Sequence, residues 1–435
     1  TPAPAPTSSV PTASAPLTPA SNLSINANEL LLNHQFDDGL KHWDVSDATL
    51  VSSTLRPGGK ALDVGWRAIQ NLSRGTLQSG QSYTLKFQAR NAGPADKTTV
   101  SVNFRIPMWG EIIRTYKTSV NSSVFKDYEI EFTAPSYAAQ ADIMVVTNAT
   151  RTVIDNASLK MRSTIGQTEP VISTKGSFVP PNYQLVFNDE FNGTTLNTKK
   201  WFTRLIQAGG TLDSLNDEQQ RYTDNNTHGV ANGVLSLVAR QVSEGAASGI
   251  DYESGMIRSD WTSRYGYYEA RVKMPGGQGV WPAFWLNSDA SEAGRLAWPP
   301  EIDIFEFVNN GLEDTVQMLH SGLSISAAAP SVYLYADPHF NKDWTYWAAP
   351  FNFNEGWHTV GAEWTPDTVT MYVDGQKIYT RTHSWTYSDG ALAGPAHIIL
   401  NLAIGGSWAG RHGIDASAFP QALQVDWVRA YRKIQ

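Results

Sequence analysis

Short runs in which apolar and polar residues alternate recur along most of the chain. Tyr83-Thr-Leu-Lys-Phe-Gln-Ala, Asp127-Tyr-Glu-Ile-Glu-Phe, Gly266-Tyr-Tyr-Glu-Ala-Arg-Val-Lys-Met and Thr368-Val-Thr-Met-Tyr-Val all follow a period of about two. That period marks a strand with one face buried. Turn signals rich in Gly, Pro, Asn and Asp separate the runs, as in Val373-Asp-Gly-Gln. No helix longer than a turn or two is expected. Many short strands joined by tight turns predict an all-β protein built from sandwiches or barrels. No apolar run reaches the roughly 18 residues of a membrane-spanning helix, so no membrane span is expected.

Two polar stretches divide the pattern. Residues 1–24 are mostly Pro, Ala, Ser and Thr with almost nothing to bury, and read as a disordered tail or linker. Residues 163–181 carry Pro170, Pro180 and Pro181 and read as an interdomain linker. Two domains are left, residues 25–162 and 182–435, in keeping with a chain of 435 residues.

Composition narrows the chemistry. There is no cysteine, which removes disulfides, thiolate zinc sites and thiol nucleophiles together. The net charge is −8, from 33 basic and 41 acidic residues, which speaks against nucleic acid as a partner. Fifteen Trp stand beside 17 Tyr and 16 Phe. Such flat apolar rings serve a large β core equally with the faces of sugar rings.

The run Trp298-Pro-Pro-Glu-Ile-Asp-Ile-Phe-Glu-Phe-Val carries the candidate chemistry. In a regular strand Glu301 and Asp303 share a face and Glu306 points away. A single β-bulge between Asp303 and Glu306 would bring all three acids to one face. Three buried carboxylates on one face repel one another and destabilise the fold unless paired or protonated. The arrangement makes sense where one carboxyl must hold a proton while another stays ionised, as in glycoside hydrolysis. A calcium site or a solvated edge strand is the competing reading, and the flanking Ile302, Ile304, Phe305 and Phe307 count against it.

With that run in view, residues 182–435 resemble glycoside hydrolase family 16, the laminarinase and lichenase group. Glu301-Ile-Asp-Ile-Phe-Glu matches the family's Glu-x-Asp-x-x-Glu. Phe187-Asn-Asp-Glu-Phe, Gly279-Val-Trp-Pro-Ala-Phe-Trp, Asn401-Leu-Ala-Ile-Gly-Gly-Ser-Trp and Val425-Asp-Trp-Val-Arg-Ala-Tyr follow in the family's order. The resemblance implies a β-jelly roll with an open concave cleft. It also implies a retaining endo-glycosidase cutting β-1,3- or mixed β-1,3-1,4-glucan, with Glu301 as nucleophile, Glu306 as general acid/base and Asp303 tuning Glu301. Trp281, Trp285 and His320 would lie near the scissile bond, His320 reaching toward the acid. Asn216, Glu218, Arg258, Asn401 and Trp408 would hold sugars on the non-reducing side. No cofactor is implied for catalysis. A structural calcium is implied through Glu190 and Asp426. A secreted monomer acting on a polysaccharide is expected, with the N-terminal tail as its candidate surface attachment.

Departures put the substrate in play. Phe305 stands where Met is usual, Val308-Asn-Asn replaces a Gly soon after the motif, and Ser321 follows His320 where Trp is common. The aromatic stretch 330–350 has no family counterpart. A galactan (agar, porphyran or carrageenan) and a transglycosylase reaction therefore stand as alternatives, and a non-catalytic glycan-binding protein as a further one. Residues 25–162 resemble carbohydrate-binding modules of family 4 through Asn28-Glu-Leu-Leu-Leu-Asn-His-Gln-Phe-Asp-Asp-Gly-Leu-Lys-His-Trp and Val153-Ile-Asp-Asn-Ala-Ser-Leu. That resemblance implies a second jelly roll, with Trp66, Arg90, Trp109 and Tyr116 as candidate sugar contacts and Trp43 in the core.

Overall fold

The computed structural model describes residues 29–73, 76–77, 81–92, 98–105, 112–135, 140–147, 151–162, 176–207, 210–242, 251–288, 298, 300–324, 345–387 and 389–434. The tail 1–24, linker residues 163–175, Trp109 and residues 330–344 of the aromatic stretch lie outside them.

The alternating runs become strands. In Ser82–Asn91 the residues Tyr83, Leu85, Phe87 and Ala89 point inward and the residues between them outward. Eight strands form one N-terminal sheet. Its path runs Ile112–Val120, Thr98–Arg105, Gln140–Val146, Lys60–Leu72, Thr152–Met161, Ser82–Asn91, Lys126–Thr133, with Asp44–Ser52 beside Lys60–Leu72. The sheet curls until its two edges meet, where Tyr116 packs on Phe132 at 5.8 Å between ring centroids. Its core holds Phe36, Trp43, Phe104 and Phe132.

The second body is a sandwich. Seven strands form the sheet that carries the acids, in the order Trp201–Phe202, Met256–Ser263, Ala396–Ile404, Val280–Ser288, Glu301–Glu306, Met318–Ser324, Thr345–Ala348. A ten-stranded sheet centred on Gln421–Lys433 and Gly266–Lys273 covers its other face. Ala396–Ile404 is buried at every position, since core lies on one side of it and cleft side chains on the other. The Val373-Asp-Gly-Gln signal is a hairpin turn with Asp374 at φ 48° and Gly375 at φ 78°, the paired positive φ values that a tight primed turn requires. The helical elements named among the described residues are single turns, Gly406–Ala409 and Ala416–Ala418.

The end of the linker stretch makes contacts with the sandwich. Residues 176–178 are part of the sandwich, because they satisfy a buried carboxylate. Glu269 is fully buried and accepts from Phe178 N at 3.0 Å and from the Ser177 hydroxyl. A carboxylate taken out of water costs several kcal/mol unless hydrogen-bonded, so this segment is fixed by what it supplies.

Candidate active site

The strand Glu301–Glu306 shows how three acids reach one face. Its pairing with Met318–Ser324 runs from Asp303↔Gly322 to Glu306↔His320, so two residues oppose the single Ser321. On the other side, Phe284↔Phe305 is followed by Trp285↔Asp303, which passes over Ile304. Ile304 and Phe305 therefore both enter the hydrophobic core with Ile302 and Phe307. The phase resets as expected, and Glu301, Asp303 and Glu306 share the opposite face. Ser321, itself buried, donates its hydroxyl to the Ile304 carbonyl at 3.1 Å. The bulge's displaced backbone group is thereby satisfied.

Burial, then repulsion between acids, governs the charge of this face. Glu301 is pushed up to about 8 by desolvation and then by Glu306, against a hydrogen bond from Trp298 that lowers it. Asp303, between its two neighbours, is raised well above the carboxylate range by burial and both glutamates. Glu306 is pushed up to about 7 by burial, opposed by the Trp281 indole, which donates to it at 3.1 Å, and reinforced by Glu218. The three acids interact strongly, so their protons belong to the cluster rather than to single residues. At neutral pH the cluster retains a proton and can act as a proton donor.

The two ends of the acid row have different surroundings. A cavity of about 290 Å3 opens beside Glu301, lined among others by Asn216, Arg258, Trp285, Asn287 and Trp298. Trp285 donates to the Asn401 side-chain oxygen at 2.8 Å, and Asn401 donates to the Tyr222 hydroxyl at 3.0 Å. Glu218 accepts from Gln220 at 2.6 Å and from Leu215 N at 3.3 Å, and burial lifts it to about 7.

Glu306 faces another group. Asp314 accepts from the Trp408 indole at 2.8 Å and from Asn310 at 2.9 Å, and lies 2.7 Å from His320 Nε2. Trp408 meets Trp281 edge-on at 5.1 Å and His320 at 5.0 Å. His320 stands opposite Glu306 in register, and its Nε2 is engaged by Asp314. Trp408 belongs with Trp281 on the Glu306 side, apart from the cavity that Asn216 and Arg258 line.

Asp314, Asn287, Trp298 and Tyr222 were not singled out from sequence. Trp298 opens the acid run and could have been read there. Asp314 sits in a loop with no periodicity, and its contacts are made only in three dimensions.

The expected calcium ligands each face an arginine. Glu190 is held by Arg429 at 2.8 and 2.9 Å and by Asn188 at 2.8 Å, and Asp426 pairs with Arg271. Calcium takes roughly six to eight oxygens. These two side chains are committed to arginine, and among the described residues no group of three or more acidic or His ligands gathers to supply the rest. They do not fit a calcium shell.

In the N-terminal module Trp66 stands 59% exposed, open to a ligand. Arg90 lies over the Phe125 ring at 5.4 Å. Tyr116 is turned against Phe104 and Phe132, with its hydroxyl toward the Thr133 carbonyl at 3.4 Å. Its ring closes the seam between the sheet edges. Trp43 lies in the core against Phe36. Among the described residues no helix is long and apolar enough to cross a membrane.

Comparison with known proteins agrees with this geometry. Residues 183–433 match the family described as Beta-porphyranase A-D, GH16 domain, and residues 28–152 match a carbohydrate binding domain family. The chain is 30% identical to the Beta-glucanase of Rhodothermus marinus, over 59% of this chain and 87% of that protein. It is 32% identical to the Glucan endo-1,3-beta-glucosidase A1 of Niallia circulans, over 57% of this chain and 38% of that one. It is also 32% identical to the Endo-1,3-1,4-beta-glycanase ExsH of Rhizobium meliloti, over 56% of this chain and 51% of that one. It thus spans most of the first relative and about half or less of the other two. The chain belongs to glycoside hydrolase family 16 and is a glycoside hydrolase with an N-terminal carbohydrate-binding module.

Proposed function

We propose that the protein is a retaining endo-glycosidase that hydrolyses internal β-1,3- or mixed β-1,3-1,4-glucosidic bonds by double displacement. The observation that carries this reading is the bulged strand, which sets Glu301, Asp303 and Glu306 on one face. Glu306 donates its proton to the leaving glycosidic oxygen while Glu301 attacks the anomeric carbon. Glu306, now ionised, takes a proton from water, and the hydroxide displaces Glu301 from the sugar. Glu301 is the least buried of the three and holds a Trp298 hydrogen bond, yet burial and Glu306 hold it up to about 8, above Glu306 at about 7, so the division of roles rests on the family motif and not on the order of these two values. Asp303, kept protonated between them, limits the repulsion. The reading includes an extracellular protein acting as a monomer on a polymer.

A second reading, a galactan substrate, is favoured by the porphyranase description of the matching family and by the buried Arg258 guanidinium in the Glu301 cavity. One experiment decides between them. The protein is incubated with laminarin, lichenan, curdlan, agarose, porphyran and κ-carrageenan, and the released oligosaccharides are analysed. New reducing ends from laminarin or lichenan, first appearing as the β-anomer by NMR, are expected. Release from a galactan alone would replace the first substrate with the second, and an inverted anomer would remove the mechanism. Glu301→Ala should lower kcat by at least about a thousandfold; near-normal turnover would take Glu301 out of the nucleophile role.

A further inference from the structure

The strand Met256–Ser263 sends Arg258 into the cavity beside Glu301. Its register with Ala396–Ile404 breaks between Arg258 and Thr262. Within that break lies Asp260, fully buried, whose Oδ1 accepts no hydrogen bond among the described residues. Its other oxygen is held from outside the hydrolase. Arg114, on the N-terminal module's edge strand Ile112–Val120, donates from Nη2 to Asp260 Oδ2 at 2.6 Å. The same guanidinium donates from Nη1 to the Trp201 carbonyl at 3.1 Å and lies over the Phe202 ring at 4.9 Å. Trp201 and Phe202 pair directly with Ser259 and Arg258. One side chain of the binding module therefore grips both the anion two residues beyond Arg258 and the strand paired with it.

The charges make this contact more than a seam. Asp260 feels both Arg114 and Arg258, and both hold its carboxyl down against the burial that raises it. Arg114 bonds the buried anion directly, and the Arg258 guanidinium acts on it through space. With Arg114 in place the carboxylate has a close partner on the module side. Without it, Asp260 is a buried charge left in the field of Arg258, and an uncompensated buried charge draws on any partner within reach.

We propose that Arg114 is a positioning residue for the hydrolase: by neutralising Asp260 across the module boundary it leaves Arg258 facing the substrate cavity. The N-terminal module then sets substrate affinity as a fixed part of the catalytic body, beyond any role as a tether. This rests on the reading that the Glu301 cavity holds the sugar chain.

The test uses the full chain with R114A, R114K, D260N and R114A/D260N. On the glycan that the wild type cleaves, R114A should raise KM about fivefold and leave kcat within about twofold, the pattern of lost uniform binding. R114K, which keeps the charge, should hold KM within about twofold, and R114A/D260N should restore it because no anion is left to compete. An unchanged KM in R114A, or no recovery in the double variant, overturns the proposal. If R114A does not fold, R114Q carries the comparison. A second readout needs no substrate: the side-chain Nε–H NMR signal of Arg258 should shift in R114A and return in R114A/D260N. A signal that stays in place overturns the inference even if the substrate reading stands. A wild type that cleaves no glycan sinks the substrate reading and leaves the NMR comparison to decide the role of Arg114.

Discussion

At the scale of single residues, the acid row is destabilising by design. Burial pushes Glu306 up to about 7 in the fold, above the 4.5 usual for a glutamate. Between those values the native state binds more protons than the unfolded chain, so its contribution to stability falls as pH rises through the window. Glu306→Gln removes both the buried charge and its repulsion with Glu218. The variant should melt higher than the wild type, with a larger gain at pH 8 than at pH 5, while hydrolysis is lost. Thermal unfolding at the two pH values measures this. Equal gains would mean that the Glu306 charge is already well solvated. The same logic explains the indole donors Trp281 and Trp298: each offers a carboxylate a single neutral hydrogen bond, enough to orient it and too little to fix it ionised.

At the scale of one element, the bulge decides whether the chemistry exists, and Ser321 is what stabilises it. Ser321→Ala leaves the Ile304 carbonyl buried without the hydroxyl at 3.1 Å, which should cost about 1–3 kcal/mol in urea unfolding. It should also lower kcat more than it changes KM, because Glu306 stands just beyond the bulge and its aim depends on it. Full kcat in a destabilised variant would show that the two adjacent core side chains, Ile304 and Phe305, hold the bulge alone.

This element was legible in advance for a physical reason. The neighbours Ile304 and Phe305 break a period-two pattern that both flanks obey, and a strand can bury two successive residues only by inserting one. The alternating strands and the Asp374-Gly375 turn were legible on the same ground. Contacts with no sequence period were not. Asp314 meets Trp408 from 94 residues away, Phe178 reaches across to Glu269, and Arg114 meets Asp260 from 146 residues away. Glu190 and Asp426 were assigned from resemblance alone, and arginine partners, the buried Arg429 and the half-buried Arg271, engage them.

At the scale of the whole molecule, the two modules meet through Arg114–Asp260 and, at 4.0 Å, through Lys199–Glu131. A docked binding module presents its ligand face at a set position, so its effect depends on the form of the substrate. On a soluble glycan each molecule is met once and the module adds little. On an insoluble one, two sites on a single surface act together, and the second binding event is governed by effective concentration. Among the described residues Trp66 is the exposed aromatic of the module's candidate contacts, and its ring offers a sugar an apolar face. Trp66→Ala should therefore leave kcat and KM on soluble laminarin within about twofold while cutting retention on insoluble curdlan about tenfold, the lower end of avidity gains. A pull-down on curdlan beside kinetics on laminarin measures both. Equal loss on the two substrates would place Trp66 in the catalytic body's own binding, and no loss on either would assign the ring to the module's fold.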